Sequence, residues 1–139
     1  MIEIRSRMVP LAELRPNNWY VNRAKLDRIL DAWVNNEQKN LPPVLITRID
    51  GELSLIDGHA RAVAALLNGA IKIAAQFDEL PMIEGSTDLY IHIHREGPDR
   101  GVERISDLIA RVVEPDEHEQ LWIGYCQNWL EKHEQDKDV

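Results

Sequence analysis

Residues 53–69, LSLIDGHARAVAALLNG, constrain this chain more than any other stretch. An apolar run able to form a short strand (Leu53, Leu55, Ile56) meets a glycine turn and then an alanine- and leucine-rich helix stopped by Asn68-Gly69. A junction of this kind points backbone N–H groups and the positive end of the helix macrodipole into the space beyond the strand, which suits an anion such as phosphate. Gly58 lets the backbone approach a ligand with no Cβ in the way. Arg61, in the first helical turn, can fold a bidentate fork over the same anion. Three uses are open to Asp57: capping the helix, holding Mg²⁺, or taking a proton from an attacking hydroxyl. The string D-G-H-x-R is equally the start of an ordinary capped helix, because Asp-Gly is a common turn and Asp a good N-cap.

The segments on either side support one α+β unit. Ile2 and Ile4 alternate with Glu3 and Arg5, the pattern of a first strand reaching about Val9. Pro10 opens a short helical turn over 11–14, and residues 17–20 form a loop in which Trp19 and Tyr20 either cover the core or flank a ligand ring; covering is the favoured reading. Leu26, Ile29, Leu30 and Trp33 recur every three to four residues, which predicts an amphipathic helix over 23–34 with Asn22 as its N-cap. Val44 to Ile49, Asp50-Gly51 and Glu52 to Ile56 form a hairpin signal, since Asp-Gly favours a type I′ turn. The helix over 60–67 carries Ala62, Ala64 and Ala65 for close packing on a sheet, and 70–77 returns as a strand.

At these residues the chain resembles a known family. Residues 42–69, PPVLITRIDGELSLIDGHARAVAALLNG, are similar to the core of the ParB/sulfiredoxin superfamily, with its apolar strand, turn and G-x-x-R element opening a helix. Residues 9–23, VPLAELRPNNWYVNR, resemble the family's opening segment, and the likeness extends over about residues 2–77. The resemblance implies a small mixed β-sheet with helices in an α+β domain over residues 1–80, followed by a C-terminal helical extension over 81–139 packed on it. It further implies that Gly58, His59, Ala60 and Arg61 bind nucleotide phosphates, with ATP, ADP or CTP and Mg²⁺ as the expected ligands. The D-G-H-x-R string is similar to that of the free serine kinases, in which case Asp57 would be catalytic.

Three departures narrow the expected chemistry. A sulfiredoxin needs a nucleophilic Cys after the glycine, and here that position is His59, which excludes sulfiredoxin chemistry. The serine kinases carry Thr where this chain has Ala60. They also place a catalytic Glu where it reads Asn17-Asn18-Trp19, and an amide cannot take a proton from a hydroxyl at neutral pH. Partition proteins continue into a DNA-reading domain and a dimerisation tail for which 139 residues leave no room. The reading is therefore a stand-alone nucleotide-phosphate-binding protein. The alternatives are phosphoryl transfer to a small hydroxylated metabolite and a DNA-associated partition or regulatory role.

Charge bears on that last alternative. Sixteen Lys and Arg against twenty-four Asp and Glu give a net charge of −8, which repels a duplex unless the cations are segregated. Arg5, Arg7, Arg15, Arg23, Lys25 and Arg28 do gather in the first thirty residues. No apolar run approaches the roughly 20 residues of a membrane span, and no signal peptide is legible, so the expected location is cytoplasmic. A single cysteine, Cys126, agrees with a reducing compartment and reads as a core or interface residue.

Beyond Pro81 the character becomes helical. Residues 87–95 alternate like a strand yet place Leu89, Tyr90 and Ile93 on one helix face with Ser86 or Thr87 as cap; helix is the preferred reading. His92 and His94 at i, i+2 do not share a helix face and are no metal pair. A second amphipathic helix is expected over 102–113 from Ile105, Leu108, Ile109 and Val112. Glu114-Pro115-Asp116-Glu117 starts a third, carrying Leu121, Trp122, Tyr125, Cys126, Trp129 and Leu130. That stripe would pack on the sheet domain, or on a second copy to give a homodimer, and the tail over 131–139 is expected to fray.

Overall fold

A computed structural model of the chain describes residues 6–137. The fold is α+β, built outward from the hairpin of strands β4 (Val44–Ile49) and β5 (Glu52–Asp57). Asp50 and Gly51 both take positive φ, 53° and 80°, as a type I′ turn requires. Strands β1 (Arg7–Pro10), β2 (Leu14–Pro16) and β6 (Lys72–Phe77) complete a five-stranded mixed sheet in the order β1-β6-β4-β5-β2. β1 is antiparallel to β6, β6 parallel to β4, and β2 parallel to β5. The expected residues Ile2 and Ile4 of the first strand lie outside the described residues.

Between β5 and β6 runs helix α2 (His59–Leu67), which buries Ala62, Val63, Ala64 and Ala65 against the sheet. Small side chains at these positions let the helix backbone lie close. Helix α1 (Arg23–Val34) packs beside α2 and follows a two-residue strand, β3 (Val21–Asn22). The Asn22 side chain caps α1 by accepting from the Ala24 and Lys25 amides at 2.9 and 3.3 Å, as its position predicted. Trp19 is buried in the loop before it.

The C-terminal residues join the same core. Ile105, Leu108 and Trp122 are buried in one cluster with Leu14, Ile46, Leu55 and Val63. Helix α3 (Thr87–Glu96) forms as expected, with the Ser86 hydroxyl accepting from the Leu89 amide. Residues 102–113 are not the amphipathic helix that periodicity predicted. A 3-10 helix spans Ile105–Arg111, and Val112–Val113 extends as strand β7, parallel to β3. Periodicity registers which side chains face inward, whereas here the backbone bonds of the two β-branched valines go to a partner 91 residues earlier.

Glu114 and Pro115 start helix α4 (Pro115–His118), which runs through a π-helical turn, Glu119–Ile123, into α5 (Gly124–Lys137). The tail, expected to fray, is helical in α5 as far as Lys137. His133 lies 2.9 Å from the Asp88 carboxylate and stacks on Trp129, so the last turns gain partners on α3. The aromatic stripe packs on α3 and the Trp19 loop. Trp19 meets Trp122 edge-on at 5.3 Å and Tyr125 at 4.9 Å, while His92 stacks on Trp129 at 4.9 Å. Cys126 is half-buried, and burial pushes its thiol up to about 11. No helix among the described residues is long and apolar enough to cross a membrane.

Candidate functional site

The strand-turn-helix junction opens onto a cleft of about 270 Å³. Its geometry begins in β5. Register shifts between Leu45 and Ile46 of β4, so that Asp57 pairs with Leu45 while Leu55 pairs with Ile46, and the bulge re-aims the strand end. Gly58 follows at φ 108°, a left-handed conformation that favours glycine. A Cβ on it would stand 2.5 Å from Val44 Cγ1. The turn is therefore seated on β4, and only glycine fits.

Asp57 does not cap the helix. Gly58 occupies the N-cap position, and no side chain among the described residues caps α2. First-turn amides of a helix have no intrahelical partner, so those of His59, Ala60 and Arg61 are left to whatever enters the cleft that these residues line. Asp57 instead pairs with Arg61 across one turn, Arg61 Nη2 standing 3.3 Å from Oδ2, and its carboxylate is largely exposed.

Arg61 is anchored from the other side. Its Nη1 donates to the Pro42 and Pro43 carbonyls at 2.6 and 2.8 Å, tying α2 to the entry of β4. The guanidinium thus forms one wall of the cleft while holding the extended Pro42-Pro43 segment in place.

His59 is turned inward. The Asn17 amide N–H is shared between the Leu55 carbonyl at 3.1 Å and His59 Nε2 at 3.0 Å, which makes that nitrogen an acceptor and the ring neutral. Burial drives its pKa down to about 3, opposed by a backbone hydrogen bond with Leu55 and aided by the Arg61 charge. What His59 presents to the cleft is its backbone amide. Of Asn17-Asn18-Trp19, Asn17 is buried and donates from Nδ2 to Ser54 Oγ and the Tyr90 carbonyl. It does not line the cleft.

Residues that the motif did not include form the remaining walls. Lys25 and Arg28 of α1, Asn18, Tyr20 and Asn22 before it, and His118 at the end of α4 all line the same space. Lys25 and Arg28 are exposed and lie one helical turn apart on α1. The excess of cations in the first thirty residues was legible in the sequence; that two of them, Lys25 and Arg28, line the cleft of the Gly58 turn was not. Trp19 covers the core, as favoured, whereas Tyr20 is half-buried at the cleft. No group of three or more His, Cys, Asp or Glu among the described residues is arranged to hold a metal.

Comparison with known proteins bears on the fold. No known family model matches the chain, and no curated protein does. Solved structures similar to it include a sulfiredoxin from Arabidopsis thaliana, 16% identical, covering 64% of this chain and 96% of that one with a TM-score of 0.47. An Agrobacterium tumefaciens protein is 15% identical, covering 75% of this chain and 61% of that one, with a TM-score of 0.48. A conserved hypothetical protein from Pyrococcus furiosus is 18% identical, covering 60% of this chain and 36% of that one, with a TM-score of 0.50. The likeness to the Pyrococcus furiosus protein, at 18% identity, is one of fold alone.

Proposed function

We propose that the cleft binds the phosphate groups of a nucleotide. The observation that carries this reading is convergence: an uncapped helix N-terminus, a Cβ-free turn and three cationic side chains, Lys25, Arg28 and Arg61, line one cleft on a chain whose net charge is −8. An acidic protein that gathers cations and unpaired amides in one concavity is organised for an anion there. Gly58, His59, Ala60 and Arg61 supply the cradle, the middle two through backbone amides alone. Mg²⁺ would ride on the phosphates with Asp57 as its protein ligand, since Mg²⁺ is commonly held by one or two carboxylates and the substrate's phosphates.

The test is calorimetric titration with ATP, ADP, CTP and GTP, each with Mg²⁺, on the wild type and on Lys25→Ala, Arg28→Ala and Arg61→Ala. One nucleotide should bind. Loss of either exposed α1 cation should weaken it by about ten- to a hundredfold, the scale of a charge-assisted hydrogen bond. Arg61→Ala should cost about 1.5–3 kcal/mol of binding, with a melting curve to separate that from loss of the Pro42-Pro43 anchor. Failure of all four nucleotides to bind the wild type sinks the reading.

One observation favours phosphoryl transfer as a second reading: the Asp57 carboxylate is exposed within the cleft, where it can reach a hydroxyl beside a bound phosphate. Asp57→Asn should then abolish nucleotide turnover in the presence of a hydroxylated acceptor while leaving the affinity measured without Mg²⁺ within a few fold. An unchanged rate removes Asp57 from the chemistry.

A further inference from the structure

We infer that His118, contributed by the C-terminal extension, is a ligand-holding residue of this cleft that takes up a proton when an anion enters, so that binding is proton-linked. The inference rests on the cleft being a phosphate site as proposed above. His118 ends α4 and lines the cleft together with Lys25 and Arg28 of α1 and Gly58 and Arg61 of the turn.

Its segment is clamped against the entrance of α1 at two points. Strand β7 pairs with β3 through Val112 against Val21 and Val113 against Asn22. One residue further, Glu114 Oε1 meets Arg23 Nε at 2.9 Å. The His118 amide then donates to the Glu114 carbonyl at 2.8 Å, closing the turn that sets the imidazole at the cleft. The backbone that carries the ring is thus positioned at the cleft by pairing made elsewhere.

The charges that act on His118 are Lys25 of α1 and Glu119 beside it on its own helix; Arg28, Asp57 and Arg61 line the same cleft. His59, also at the cleft, is neutral and committed to the Asn17 amide. Arg23 and Glu114 neutralise each other. Burial first and the Lys25 charge second hold the His118 pKa below its usual value, with Glu119 opposing. The imidazole is accordingly neutral near pH 7 without ligand. A multiply charged phosphate reverses the local field, and protonation turns the ring into a second donor toward the phosphoryl oxygens. The proton comes from solvent, and no bond within the ligand changes.

Inorganic pyrophosphate is the probe. The His118 Cε1–H resonance of the full chain is followed against pH with and without saturating pyrophosphate, and affinity is measured at pH 7.5 and 6.5 for the wild type and His118→Gln. The midpoint of His118 should move up on binding. Wild-type affinity should rise on acidification by about three- to tenfold more than that of His118→Gln, since one linked proton gives at most about tenfold per pH unit. Protons taken up by pyrophosphate itself are common to both proteins and cancel. Binding with an unmoved or lowered His118 midpoint, or with the same pH dependence in both proteins, overturns the inference and leaves the phosphate site standing. Absence of binding by pyrophosphate and by nucleotides overturns both.

Discussion

His59 ties the Gly58 turn to the loop before α1 only while its ring is neutral. Its pKa of about 3 lies below the ordinary 6.5, so on acidification the unfolded chain takes up a proton that the native one refuses. The stability it contributes is complete above about pH 6.5 and is lost as pH falls toward 3. At about 1.4 kcal/mol per unit this amounts to roughly 2 kcal/mol by pH 5. His92, His94 and His118, also lowered by burial, act in the same direction. Urea unfolding at pH 7 and pH 5 should show the loss, and His59→Gln should flatten the dependence; an equal slope in the variant would assign it to the other histidines. Gly58→Ala is expected to destabilise by about 1–3 kcal/mol in the same assay, because alanine meets both the left-handed φ and the Val44 side chain. Of the D-G-H-x-R string, the glycine turn was readable from residue type, but its seat against Val44 was not. The imidazole's role was not, since what fixes it is an amide 42 residues away.

At the scale of elements, strong local signals formed what they announced. The Asp50-Gly51 hairpin, the Asn22-capped α1 and the Glu114-Pro115 start of α4 each have a residue whose backbone preference or short-range hydrogen bond settles the matter. The segment before β7 shows the opposite. Asp107 Oδ2 accepts from the amides of Glu103 and Arg104, both at 2.9 Å, and starts a 3-10 turn that ends where β7 reaches β3. Asp107→Ala should lower stability by about 1 kcal/mol in chemical denaturation, the usual size of a lost N-terminal cap. No change would mean that the β3–β7 pairing alone holds the segment.

Across the whole molecule, residues before 80 and after 81 share one core and one polar network. The buried Arg15 donates to Glu52 of β5 at 2.8 Å and to the His94 carbonyl of α3 at 2.7 Å, and His94 Nδ1 lies 3.1 Å from Ser54 Oγ. Trp19 is enclosed by Trp122, Tyr125 and the Arg100 guanidinium, which lies 4.7 Å from its ring centroid. Trp122→Ala should therefore destabilise the sheet as well as the helices, by about 3–5 kcal/mol, with far-UV dichroism and tryptophan fluorescence giving one coincident transition. Two separate transitions would show that the extension unfolds on its own.

The sequence by itself determined the hairpin, most helix starts and the glycine turn after β5, all consequences of residues within a few positions of one another, and its resemblance over residues 42–69 carried the α+β class. Only the tertiary structure decided that Lys25, Arg28 and His118 line the same cleft as that turn, that His59 faces inward, and that Asn17 is buried away from the cleft. The first depends on β3 pairing with β7 and α1 packing on α2, the other two on bonds among Asn17, His59, Ser54 and Tyr90. Such contacts join residues tens of positions apart and are set by how whole faces pack, which no local spacing encodes.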